Sequence, residues 1–154
     1  MRHIIILALC MLMGLNATAQ RNKEMQERIK AQKVAFITER LELTPKEAQE
    51  FWPIYNAFED KTNDFRRNDL KGVREAMRRG DLSNSEAQEI LNKYMAVEDK
   101  LHNAKKQLVK DLGNVLPPQK IIKLKSAEDA FNRKLMDMLR ENRKKRQGNN
   151  EPKD

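Results

Sequence analysis

The chain reads as an all-α protein of four helices in long, bent antiparallel hairpins, and three observations predict it. Apolar residues recur at spacings of three and four from Met25 to Leu139, the mark of helices buried along one side. No segment alternates apolar and polar residues as a half-buried strand does. Helix punctuation falls at Thr44-Pro45, Gly80, Ser83, Gly113 and Pro117-Pro118, and divides the periodic stretch into four.

The first segment lies outside that pattern. Arg2 and His3 precede the apolar run Ile4 to Met13, which is too short to span a bilayer, and Ala17-Thr18-Ala19 has the small-x-small form of a signal-peptidase site. Residues 1–19 are therefore expected to be a secretory signal cleaved after Ala19. Cys10 follows the bulky Leu9 after only six apolar residues, so it reads as signal filler and not as a lipidation site.

Helix 1 is expected from about Asn22 to Leu41, with Met25, Ile29, Val34, Phe36, Ile37 and Leu41 as its apolar stripe. Helix 2 starts at a capping box, in which Thr44 caps, Pro45 takes the first helical position and Glu47 stands three residues after Thr44. It carries Phe51, Trp52, Tyr55, Phe58 and Phe65, and is expected to continue through Leu70, Val73 and Met77 to Arg79, with Gly80 as its cap. Pro53 lies inside it and has no amide for the carbonyl of Gln49, so a bend near Trp52-Pro53 is expected, or a separate first turn with Pro53 opening the next helix.

Helix 3 opens on a second capping box, Ser83 with Glu86. Ala87, Tyr94, Leu101, Leu108 and Val115 recur by sevens, with Ile90, Val97 and Ala104 between them, a heptad seam suited to an antiparallel hairpin. Gly113 supplies its stop. Helix 4 follows Leu116-Pro117-Pro118, with Ile121, Leu124, Phe131, Leu135 and Met138 on its apolar face, so that one helical domain covers residues 20–142. Residues 143–154 open on Arg143-Lys144-Lys145-Arg146, have no apolar face, and are expected to be a disordered basic tail.

Composition bounds the function. Without residues 1–19 about a third of the chain is apolar, against a usual share of roughly 45 to 50 percent, which favours an elongated or dimeric protein over a compact monomer. The formal charge of +8 loses only Arg2 with the signal. In an exported protein that charge points away from nucleic acid and toward lipid headgroups, lipopolysaccharide or acidic segments of unfolded chains. The only cysteine, Cys10, leaves with the signal, which excludes a disulfide framework.

Catalytic and metal chemistry find few materials. His102 is the one histidine after the signal, no cysteine remains, and there is no glycine-rich phosphate loop, so no nucleophile and base can be assembled and no catalytic residue is expected. Met136 and Met138 point to different sides of a helix, and no loop has calcium-binding spacing. No metal and no cofactor are expected.

Sliding the chain by 73 residues aligns Leu43 with Leu116, Pro45 with Pro118, Phe51 with Leu124 and Phe58 with Phe131. Leu43-Thr44-Pro45-Lys46-Glu47 and Leu116-Pro117-Pro118-Gln119-Lys120 then stand as two boxes before helices. In these boxes the sequence resembles the Spy/CpxP family of periplasmic proteins, marked by a Leu-Thr-x-x-Gln box placed twice. Glu47 and Lys120 occupy the Gln positions and Pro117 replaces the second Thr. The resemblance spans roughly Met25 to Leu139. It implies a cradle-shaped homodimer in the periplasm that holds unfolded or aggregation-prone envelope proteins without ATP. Other members of that family regulate stress by binding a membrane sensor, and others sense metals.

On that reading Arg66, Arg67, Lys71, Arg74, Arg78 and Arg79 are candidate client-binding cations; they read equally as the solvated face of helix 2. Phe51, Trp52, Tyr55, Phe58, Leu101, Leu108 and Phe131 are read as core or dimer seam. The basic tail leaves anionic lipid as a further partner.

Overall fold

The computed structural model describes residues 20 and 23–148, with side-chain environments through Lys145. The expected signal segment and residues 149–154 lie outside the described residues. Those described are helical, with no strand among them: α1 over 23–40, α2 Pro45–Asp64, a π turn Phe65–Asp69, α3 Lys71–Arg79, α4 Asn84–Leu112 and α5 Pro118–Gly148. The expected four rods are present, the second one broken. No described helix is long and apolar enough to cross a membrane.

The described residues divide into two compact units, those within Met1–Glu42 and Leu124–Asp154 and those within Leu43–Lys123. In the first, Ile37 and Leu41 of the α1 side and Leu124, Ala127 and Phe131 of α5 are buried. Phe36 meets Phe131 with ring centroids 5.8 Å apart, and the Arg40 guanidinium and the Lys134 ammonium lie 5.4 and 5.5 Å from the Phe36 centroid. Two cations on one ring suit a helix pair whose borders are mostly charged. α1 ends in the turn Leu41-Glu42, where Glu42 takes a left-handed φ of 50° that glycine usually supplies.

The second unit is a helical hairpin, with α2, the π turn and α3 running antiparallel to α4. Its core contains Phe51 and Tyr55, both fully buried, with Val73, Ala76, Val97, Ala104, Leu108 and Leu112. Phe51 and Tyr55 stack at 5.3 Å, and Trp52 sets its edge against both, at 5.0 and 5.6 Å. The heptad seam of α4 is buried at Val97, Ala104 and Leu108, whereas Ala87 and Tyr94, which share it, are exposed. The far half of the hairpin faces the short, charged α3 and offers them little to pack against.

Two sequence expectations are corrected. The second helix is not continuous from Pro45 to Arg79. α2 passes through Pro53 without interruption, so Pro53 does not begin a new helix, and the break falls at Phe65–Leu70. There the Leu70 amide donates to the Phe65 carbonyl at 3.2 Å, a bond one residue longer than α-helical. The segment Thr62-Asn63-Asp64 and Asn68-Asp69 is made of poor helix formers, and their side chains bond locally: Thr62 Oγ1 to the carbonyls of Phe58 and Glu59, and Asn68 Nδ2 to Asp64 Oδ1 at 2.6 Å. The proline costs little because Gln49, which loses its amide partner, is exposed to water.

The second correction concerns the tail. α5 runs to Gly148, so residues 143–148 are helical rather than disordered; cations in a last turn are favoured by the partial negative charge of a helix C-terminus. Gly113 ends α4 as expected, in a right-handed conformation, φ −62°, while Gly80, at φ 76°, uses the glycine-specific one.

Candidate functional site

Both ends of the second unit's hairpin carry structure that the sequence marked. At the base, Thr44 caps α2: its Oγ1 accepts from the Glu47 amide at 3.3 Å, and Glu47 Oε2 accepts from the Thr44 amide at 2.8 Å. The same Oε2 receives the Lys120 ammonium at 2.8 Å, with both side chains only 20% exposed. Lys120 above all, then the Thr44 amide, holds the Glu47 carboxyl below its ordinary value.

Glu47 and Lys120 are separated by the 73-residue offset of the repeat. Each is the other's counterpart, so the two boxes meet through equivalent positions. The departures of the second box fit this role. Pro117 has neither a hydroxyl to cap with nor an amide to donate, so an acceptor at position 120 would have nothing to reciprocate. α5 starts on the Pro117 carbonyl instead, which accepts from the Lys120 and Ile121 amides at 3.0 and 3.4 Å. Lys120 is thereby available to Glu47. Of the other motif residues, Leu116 is buried, Leu43 is half-buried, and Thr44, Pro45, Pro118 and Gln119 are exposed.

Halfway along, Lys100 of α4 ties down the π turn. Its ammonium pairs with Asp69 at 2.7 Å and lies 5.5 Å from the Phe65 centroid. Sequence reasoning missed this cluster because nothing in local spacing joins residues thirty-one apart. The run of helix-poor residues around Phe65 is the signal that could have found it.

At the tip, Gly80 turns the chain and Ser83 caps α4: the Ser83 amide donates to Glu86 Oε2 at 2.9 Å, and Ser83 Oγ accepts from the Glu86 amide at 3.3 Å. The hydroxyl of Ser83 is also the main cause that lowers the Glu86 carboxyl below its usual value. Arg79 reaches Glu86 at 3.9 Å, an exposed pair worth little.

The six candidate cations, Arg66, Arg67, Lys71, Arg74, Arg78 and Arg79, are all exposed on the π turn and α3. The Arg74 guanidinium bridges the break to the Arg67 carbonyl at 3.2 Å, and Arg78 Nε donates to the Arg74 carbonyl at 3.4 Å. On this half of the hairpin four large apolar side chains face water: Met77 at 71%, Leu91 and Met95 at 52% each, and Tyr94 at 41% exposure. None of these four was singled out as a site residue from sequence, because their exposure depends on what packs opposite them, which local spacing does not give.

The aromatic set divides by burial. Phe51, Tyr55, Leu108 and Phe131 are buried within one chain, while Trp52, Phe58 and Leu101 are half-buried. His102 is exposed beside Lys105 and Lys106, and the described residues hold no cluster of potential metal ligands. No protein-family model, curated protein or solved structure matches the chain.

Proposed function

We propose that the protein is an exported, ATP-independent chaperone that holds unfolded or aggregation-prone proteins on the tip half of the α2–α4 hairpin. One observation carries the reading: Met77, Leu91, Tyr94 and Met95 are exposed on the unit that also exposes six Arg and Lys side chains over Arg66 to Arg79. Arginines draw clients in over distance and flexible methionines adapt to varied apolar side chains, so many weak contacts replace one specific pocket. The likeness of the two boxes to those of the Spy/CpxP family agrees with this use, with a periplasmic location and with a homodimer.

The test is suppression of aggregation. Residues 20–154 at near-stoichiometric ratio should delay aggregation of several unrelated denatured proteins, and changing Arg66, Arg67, Lys71 and Arg74 to Glu should remove most of the effect. No delay for any client would sink the chaperone reading. A single partner recovered by cross-linking in the envelope would favour instead an accessory regulator of one membrane sensor. Binding to anionic vesicles that disappears on deletion of residues 140–154 would add a lipid contact at the basic end of α5.

A further inference from the structure

The client surface leaves a second feature of the hairpin unused. A groove of about 430 Å3 runs between α2 and α4. Its walls are apolar, formed by Ile54, Ala57 and Phe58 on one side and Ala104 and Leu108 on the other. The hollow exists because each wall carries an alanine where its neighbours along the seam are large. From Pro53 to Lys61 the groove follows nine residues of helix, a rise of about 12 Å.

Three polar side chains border it, and two are committed to each other: Gln107 Nε2 donates to Asp111 Oδ1 at 2.7 Å. The third, the Lys61 ammonium, has no partner among the described residues. Because α2 and α4 are antiparallel, Lys61 and Asp111 border opposite ends. The groove therefore offers an unpaired cation at one end, an apolar trough, and a carboxylate at the other.

We propose that this groove binds a free medium-chain monocarboxylate, its alkyl chain along Phe58, Ala57 and Leu108 and its carboxylate on Lys61. An apolar chain displaces water from a trough that cannot hydrogen-bond it, and the single head group supplies the charge that Lys61 lacks. Asp111 at the far end sets the class: a second anionic group there would meet a like charge. The net positive charge of the chain further favours an anion over a cationic amphiphile.

Calorimetric titration of the full chain with dodecanoate, kept below its micelle concentration, tests the assignment. One molecule should bind per chain, with Ala57 and Ala104 methyl resonances shifting together. Lys61→Met should weaken binding about tenfold, dodecanedioate should bind about tenfold more weakly than dodecanoate, and Lys105→Met should change nothing. Ala57→Trp, at an exposed position, should fill the trough and abolish binding while helicity is kept. Unchanged affinity in a folded Ala57→Trp, equal losses from Lys61→Met and Lys105→Met, or methyl shifts spread over the whole chain would each overturn the proposal. The aggregation assay is independent of all of these, so this site and the client surface stand or fall separately.

Discussion

Replacing Phe51 by alanine removes a ring that is fully buried, stacks on Tyr55 at 5.3 Å and receives the edge of Trp52 at 5.0 Å. A buried Phe→Ala change costs roughly 3 to 5 kcal/mol, transfer and cavity together. The cavity opens beside two other large rings on the same helix, which cannot collapse into it without leaving their own contacts, so about 4 kcal/mol is expected. At roughly 2 to 4 °C per kcal/mol for a chain of this size, the melting temperature should fall by about 10 °C or more. Urea unfolding followed by far-UV circular dichroism measures it, with Met77→Ala, at a 71% exposed side chain, as the control expected to change stability by no more than about 0.5 kcal/mol. Repeating the melts over a hundredfold range of protein concentration separates core from dimer seam, because only loss of an interface makes the penalty concentration-dependent. A loss below about 1 kcal/mol, or one no larger than that of Met77→Ala, would refute the assignment of Phe51 to the core.

Thr62→Val should be tolerated within about 1 kcal/mol by the same unfolding measurement, since the buried hydroxyl bonds only to the Phe58 and Glu59 carbonyls of its own helix and a methyl of the same shape replaces it. Gly80→Ala should cost about 1 kcal/mol through its left-handed backbone alone, because nothing lies within 4 Å of the added methyl; Gly80→Asn should cost less. The Glu47 and Glu86 carboxyls are held below their ordinary values in the folded chain, so they contribute stability at neutral pH that is lost as pH falls through and below the usual carboxylate range. Urea midpoints between pH 7 and pH 3 should therefore fall less steeply in Glu47→Gln and Glu86→Gln, and parallel curves for wild type and variants would count against the two boxes. A double-mutant cycle on Glu47→Gln and Lys120→Gln should give a favourable coupling energy between the two positions, and additivity would remove the bridge.

The fold was legible where it rests on local chemistry. Thr44 with Glu47 and Ser83 with Glu86 close capping boxes that depend on residues three apart, and both helices start where those boxes place them. The break at Phe65 was legible in principle and outweighed by Pro53, the more familiar breaker. A proline removes one bond from an exposed carbonyl, whereas Thr62, Asn63, Asp64, Asn68 and Asp69 weaken several successive positions and offer side-chain alternatives to the backbone. Summed weak preferences prevailed over one strong local rule.

The site was less legible, for a geometric reason. Periodicity tells which side of a helix can be buried, not what its partner brings to cover it. Tyr94 and Val97 belong to one heptad seam, yet Tyr94 is 41% exposed and Val97 is buried; opposite them α3 is only nine residues long and buries just Val73 and Ala76. The Glu47–Lys120 bridge likewise needs two helix starts brought together in space. Only the 73-residue offset hinted at it, and only through a difference between the two boxes: a lysine at the position that Glu47 takes in the first, three residues after a proline that can neither cap nor donate. A groove made by the smallness of Ala57 and Ala104 leaves fainter traces still, since alanine in a helical seam reads as ordinary packing until the opposite wall is in place. That asymmetry explains why contacts built from charged side chains left a trace in the sequence and the hollow between the helices did not.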